Sequence, residues 1–296
     1  MSLWIRRSVD ILRDLIDRVD PFETALYLTL LIFMLEKTDL HSLVFFCSLG
    51  ILVRPLIRNP IYWFGLAAVF VIVTWYPWYS PGNHRYLQAY WCLAIAFCFL
   101  CSNPQEALAR SARWLIVFVF LFALIWKIRT PEFMDGGFLE YSLISDYRFI
   151  PVAMLAGLDA EVVLKNAQLL HDYIDVGDLS GSVSLQTTAA VPIIAKFLTG
   201  WALLIEAGVC IVFFLTTRRV SQVLRHGVLL IFIVTTYSLA PVVGFGWLFI
   251  AMGLVLLPAK EKRAFLPLYI LAFVVVFLAR NPGIYGAIRH IERFLN

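Results

Sequence analysis

Charge is scarce in this chain of 296 residues: Asp, Glu, Lys and Arg make up 15% of it, against 61% hydrophobic residues and a mean hydropathy of +0.83. Soluble domains of this size do not carry so little charge on so much apolar sequence, so a soluble enzyme is excluded and a polytopic membrane protein is predicted. The net charge of +4 is small, and the arginines fall singly or in pairs between apolar runs rather than in a basic stripe. Nucleic acid is therefore not an expected partner. Cysteine is also sparse. Cys47, Cys92, Cys98, Cys101 and Cys210 are odd in number and all lie within apolar runs, so no disulfide framework is legible. The Cys98-x-x-Cys101 spacing reads as two small packing residues, and no metal is expected because zinc or haem ligands are missing around it. The absence of an internal repeat and of a pair of broken helices argues against a transporter. Nor does the start resemble a cleaved signal, because Asp10, Arg13, Asp14, Asp17 and Arg18 follow Arg6-Arg7 where an apolar core would be needed.

What the chain has is apolar runs with sharp ends. Residues 3–19 place Leu3, Trp4, Ile11, Leu12, Leu15, Ile16 and Val19 at helical spacing, so 1–20 is read as an amphipathic helix on the membrane surface. Residues 21–280 then read as an all-α transmembrane bundle of about nine helices, near 22–36, 41–57, 61–76, 86–101, 114–127, 190–215, 226–241, 243–257 and 264–279. The cluster Trp75-Tyr76-Pro77-Trp78-Tyr79 marks an interface. Residues 138–188 form the one long connection, with amphipathic spacing over 149–174 and a polar, Gly-rich stretch from Asp175 to Ser184. They are expected to cap the membrane as a partly helical extracytoplasmic segment. A short basic tail occupies 281–296. Placing the N-terminus in the cytoplasm puts fourteen Lys and Arg on cytoplasmic segments against Lys37 and Arg85 on the opposite short loops, and the positive-inside rule selects that orientation.

A few polar residues stand out against this background. Lys127 ends the apolar run Trp114–Trp126, either as an anchor whose stem snorkels to the headgroups or as a functional amine in hydrocarbon. Glu206 falls well inside a span and faces the bundle interior with Ala202 and Cys210, where a helix–helix hydrogen bond is the plain expectation. His84 sits in a short loop, satisfied by backbone or available to a ligand. Asn83 before it reads as a helix N-cap. His226 opens a later span at the end far from Lys127 and reads as structural.

Several of these residues carry a resemblance. Asn83-His84-Arg85-Tyr86-Leu87 resembles the Asn-His-x-Tyr-Leu signature of the membrane domain of vitamin K-dependent γ-glutamyl carboxylase, within the wider horizontally transferred transmembrane (HTTM) group. Lys127 followed by Phe133-Met-Asp135-Gly136 is similar to that family's lysine and its aromatic-x-x-Gly after the helix end. Leu203-Leu-Ile-Glu206 resembles its later intramembrane acid, His226 its span-opening histidine, and Phe245-Gly-Trp-Leu-Phe the helix beyond. Two positions depart: Arg225 stands where the family usually has Phe, and Phe133 replaces a common Trp. The resemblance implies a carboxylase-like lyase and quinol epoxidase in which Lys127 is the base for a vitamin K-type hydroquinone, menaquinol or similar. His84 would bind the quinol oxygen with Asn83 orienting it. Arg85, Tyr86, Trp126, Asp135, Glu206 and His226 would complete the binding set. The partners implied are the lipid bilayer, the lipid-soluble quinol and a secreted peptide or small protein, in a bacterial inner membrane. The alternative is a non-catalytic membrane factor for maturation or export of such a peptide. The large lumenal domain of animal carboxylases has no counterpart within these residues.

Overall fold

The computed structural model describes residues 14–35, 41–75, 83–176, 182–215, 220–239 and 242–279. Every regular element among the described residues is helical. Of the helix expected over 1–20, residues 14–18 are helical. Residues 1–13, the tail 281–296 and the aromatic cluster after Trp75 lie outside the described residues.

Proline positions explain where several helices begin. Pro21, Pro60, Pro104 and Pro131 are the first residues of α1 (Pro21–Leu35), α3 (Pro60–Trp75), α5 (Pro104–Arg129) and α6 (Pro131–Met134). A first-turn proline gives up an N–H that would be unpaired anyway, and its fixed φ already suits a helix. Asn103 completes the start of α5, accepting from the Glu106 N–H at 3.3 Å. Between these lie α2 (His41–Leu52) and α4 (His84–Cys98). The span expected over 41–57 is shorter in the structure: α2 stops at Leu52, and Arg54-Pro55 opens a 3-10 turn over Arg54–Arg58.

Beyond α6 come α7 (Gly137–Ser145), α8 (Ile150–Leu155) and α9 (Ala160–Val176). The single amphipathic helix expected over 149–174 is thus two helices, parted at Gly157, whose φ of +74° belongs to the left-handed region. These elements enclose a small core of their own, including Leu143, Val152, Ala153 and Val163, closed against Val191 and Ala195 at the start of α10 (Ala190–Phe214). The chain ends in α11 (Gln222–Leu239), α12 (Val243–Val255) and α13 (Lys262–Ala279).

Among the described residues, four helical segments are long and apolar enough to cross a bilayer: α5 with 26 residues, α10 with 25, α11 with 18, and the 21-residue stretch Ala259–Ala279 that includes α13. A crossing takes about 20 residues. Four further apolar segments, at Pro21–Leu35, Leu43–Leu52, Pro60–Trp75 and Val243–Val255, are shorter than that. Length and composition therefore carry four of the nine expected spans.

α12 holds the bundle together. Gly244 and Gly246–Leu254 are all buried, so this helix has no outward face, which is what an all-round apolar sequence requires. It packs against α1, α4, α5, α11 and α13. The outer surfaces of the long helices are apolar as well. Phe122, Ile193, Phe197, Leu204 and Ile211 are all exposed, a pattern that suits lipid rather than water.

Antiparallel packing sorts the helix ends into two sets. At one end, Glu23 of α1 meets Arg54 at 3.0 Å and Arg58 at 3.3 Å, and Asp17 meets Arg263 at 2.6 Å. Phe22 and Phe99 touch there, and Arg113 of α5 binds the last carbonyls of α10. At the other end lie His84 against Phe245, the end of α5 with Lys127, and the small core that takes in Leu239. Basic residues thus crowd one end of the bundle.

Candidate functional site

Lys127 and Glu206 meet. The lysine Nζ donates to Glu206 Oε1, and both side chains are largely enclosed, with 18% and 8% of their surface exposed. The register of α5 against α10 explains how residues so differently placed come together. Arg113 lies opposite Phe213–Leu215, and Cys210 faces the Val117 carbonyl. Continued along the helices, this register sets Lys127 level with Gly200 and about 9 Å along the axis from Glu206. Side chains tilt toward their own helix N-terminus. Because the helices are antiparallel, the lysine leans inward, the glutamate leans outward, and the lysine stem closes the gap. Neither residue is a simple anchor: Lys127 does not snorkel away from the bundle, and the helix–helix hydrogen bond of Glu206 is to a cation.

The turn after α5 supplies the third side of the site. Phe133 is buried, and Lys127 Nζ stands 5.2 Å from its ring centre. A cation at that distance over an aromatic face gains about 0.5–2 kcal/mol. Gly136, three residues on, has φ +92°, a left-handed conformation that side chains other than glycine adopt only with strain. A Cβ there would also stand 3.2 Å from Lys196 Cγ of α10, so the glycine lets this turn close down on α10. The aromatic-x-x-Gly spacing therefore has a physical role: the aromatic lies against the amine and the glycine makes the turn. Asp135 serves that turn too, accepting from the Gly137 N–H at 2.8 Å, and it is exposed rather than part of the pair.

Glu206 Oε2 is buried and has no hydrogen-bond partner. The buried Tyr237 of α11 is near enough to interact with Glu206 electrostatically. The centre of the site is thus an amine, a carboxylate with one free oxygen, an aromatic face and a nearby phenol. It has the parts for moving a proton in an apolar setting, and it has no cluster of metal ligands among the described residues.

The other expected site residues are scattered. His84 opens α4, and its ring stands edge-on to Phe245 at 5.9 Å. Asn83 does not cap α4: its backbone is already helical, at φ −53° and ψ −24°, and its side chain makes no cap bond. A capping side chain needs an extended backbone to fold back on the next amides. Arg85 is partly buried beside His84, and Tyr86 is exposed on the outward face. Trp126 is 59% exposed and points away from the bundle, as an interfacial tryptophan does. His226 is at the opposite end, 2.8 Å from the Tyr269 hydroxyl.

No protein-family model, no curated protein and no solved structure matches this chain. The site is read from its own geometry. In the sequence Phe133 stands out only as part of a motif and not as a site residue, and Tyr237, one of many aromatics, not at all. The aromatic-x-x-Gly spacing was the available signal for Phe133. Nothing comparable pointed to Tyr237.

Proposed function

We propose that the chain is an integral membrane protein of the HTTM type, using Lys127 as a base toward a lipid-soluble hydroquinone of the vitamin K class, such as menaquinol. The reaction would be a carboxylase-like modification of a secreted peptide or small protein. One observation carries this reading: an amine and a carboxylate joined inside an apolar wall, with one carboxylate oxygen left without a partner. The residues fit such a group, because Lys127 and Glu206 offer polar atoms to its oxygen end and Phe133 offers a ring face. When bound, a hydroquinone supplies an acidic hydroxyl and the redox chemistry that follows loss of its proton.

The chain's own part is proton movement. Shifting the shared proton from Nζ to Oε1 turns two charges into an amine and a neutral acid without changing the net charge. Apolar surroundings penalise charged groups, so they narrow the gap between the two arrangements. The Nζ lone pair is then a base, and Oε2 remains an acceptor for a donor that the ligand brings. The basic end, with Arg54, Arg113 and Arg263, is taken as cytoplasmic in a bacterial inner membrane, which sets the pair on the extracytoplasmic side. A reporter inserted near Ser180 should then be extracytoplasmic and one near Gln222 cytoplasmic. The reverse labelling would remove this orientation.

The deciding experiment compares Lys127→Arg with the unaltered protein, purified into nanodiscs loaded with menaquinol. Arginine keeps the charge and the partner carboxylate but offers no lone pair at physiological pH. Quinol oxidation in the unaltered protein and its loss in a well-folded Lys127→Arg is the expected result. Equal oxidation in both ends the base reading. The pair also supports a second reading, because it ties α5 to α10: a non-catalytic factor for peptide maturation or export in which the pair is a clamp. In that case neither protein oxidises quinol, and Lys127→Arg retains its biological activity.

A further inference from the structure

At the basic end lies a cavity of about 330 Å³ whose lining includes Glu106, Arg110, Arg113, Gln222, Arg225 and His226. Its charges do not cancel. Arg110 is paired with Glu106 at 3.1 Å, which leaves Arg113 and Arg225. Neither forms an ion pair among the described residues, and the two guanidinium groups are near enough to repel each other. Both are spent on backbone. Arg113 donates from Nε to the Phe213 carbonyl at 2.7 Å and from Nη2 to those of Phe214 and Leu215 at 2.8 and 3.1 Å. Arg225 donates from Nε to Val212 at 3.2 Å and from Nη2 to Leu215. These carbonyls end α10 and have no intrahelical donor. The helix end they neutralise amounts to about half a negative charge, against two full positive ones. Arg225 is 4% exposed, so the excess is held away from bulk water.

A second observation points to a ligand. His226 lines the same cavity, is 1% exposed, and engages Tyr269 through Nδ1. Its Nε2 makes no well-formed hydrogen bond, although the carbonyl of Leu256, also in the lining, lies close enough to accept one from the ring. When the tyrosine hydroxyl donates to Nδ1, Nε2 carries the hydrogen and is a donor. Each arginine also keeps its Nη1 group, since Nε and Nη2 make the recorded bonds. Buried and partly buried donors gathered around surplus positive charge, at the end of the bundle where headgroups would lie, match one kind of chemistry. We infer that this cavity binds a phosphate group, held by the Arg113 and Arg225 guanidiniums and His226 Nε2. Arginine's planar fork suits phosphate oxygens in two-point contact. The phosphate belongs to a phospholipid headgroup or to a small soluble phosphate compound. This inference is independent of the Lys127 site, about 21 Å away along α5.

The test uses the purified full chain in maltoside micelles, which carry no phosphate, and follows its melting temperature. Two probes are compared at fixed ionic strength: inorganic phosphate in solution, and phosphatidic acid included in the micelles. Chloride and sulfate serve as controls. A rise of about 2–4 °C is expected with at least one probe. A rise with inorganic phosphate identifies a soluble source, and one with phosphatidic acid alone identifies a lipid. Ala109→Leu places a larger side chain in the lining without touching the arginines, and it should abolish the rise. His226→Phe keeps the ring but removes Nε2, and apparent affinity should fall about tenfold, as expected for one hydrogen bond to a charged group. His226→Phe decides the matter should Ala109→Leu not fold. No rise with either probe, an equal rise with chloride, or a rise undiminished in the folded variants overturns the assignment.

Discussion

Two places on α10 handle charge in opposite ways. Just past its midpoint, Glu206 takes the charge of Lys127, and the two cancel within an apolar wall. At its C-terminal end, Arg113 and Arg225 make their hydrogen bonds to carbonyl oxygens and no ion pair among the described residues, so two formal charges stay beside the cavity. The same helix pair, α5 with α10, carries both arrangements. A carboxylate partner satisfies a buried cation and leaves a site that can pass a proton. A carbonyl partner satisfies the N–H groups but not the charge, and leaves a site that attracts anions. Hydrogen-bond satisfaction and charge balance are separate requirements, and this helix shows them separated.

Breaking the balanced pair should have the largest effect. Glu206→Leu strands the lysine ammonium and is expected to cost about 3–5 kcal/mol, read by unfolding in bicelles. Lys127→Met added to Glu206→Leu should recover most of that loss, since an apolar pair replaces an ion pair. Equal stability of the single and double variants would show that the pair is not coupled. At the unbalanced end, Arg113→Leu removes the donor to three carbonyls and should cost about 1–3 kcal/mol. Arg113→Lys should restore only part of it, because one ammonium cannot reproduce the fork. An unchanged unfolding curve for Arg113→Leu would show those carbonyls satisfied elsewhere.

A smaller effect sharpens the role of His226. A Cβ at Gly253 would stand 2.4 Å from the Tyr269 hydroxyl oxygen and 2.6 Å from its ring carbon Cζ. Gly253→Ala must therefore push the phenol off His226, at about 1–3 kcal/mol for overpacking. It should also weaken phosphate binding, provided that Tyr269 sets the histidine's orientation. Binding unchanged in a destabilised Gly253→Ala would leave Tyr269 as packing alone. The smallest effect belongs to the exposed surface. The Arg263 guanidinium bonded to Asp17 holds that carboxyl below its ordinary 3.8. A lowered folded-state pKa means that the contribution is complete above the ordinary carboxylate range and fades as pH falls through the lowered value. Asp17→Asn should leave the melting temperature at neutral pH almost unmoved, with any difference disappearing in high salt.

Much of the architecture follows from local rules, which is why it could be read residue by residue. Scarce charge and long apolar runs set the all-helical, lipid-suited class. Pro21, Pro60, Pro104 and Pro131 start helices because ring geometry does not depend on distant contacts. Lys127 and Glu206 were conspicuous for being polar where everything around them is not. Asn83 misled because capping depends on a backbone conformation that composition does not reveal. The run over 149–174 misled because its apolar spacing continues through the break at Gly157.

Only the tertiary structure decided which of these residues meet. The pairing of Lys127 with Glu206 depends on the register of two antiparallel helices joined through a connection of some sixty residues, and side-chain periodicity within each helix carries no record of that register. The same holds for Arg113 and Arg225. As letters they were cytoplasmic charge, and as packed side chains they close one helix end and leave their charge facing a cavity. Sequence sets what each helix offers. The offset between helices, governed by packing over their whole length, sets what each offer meets.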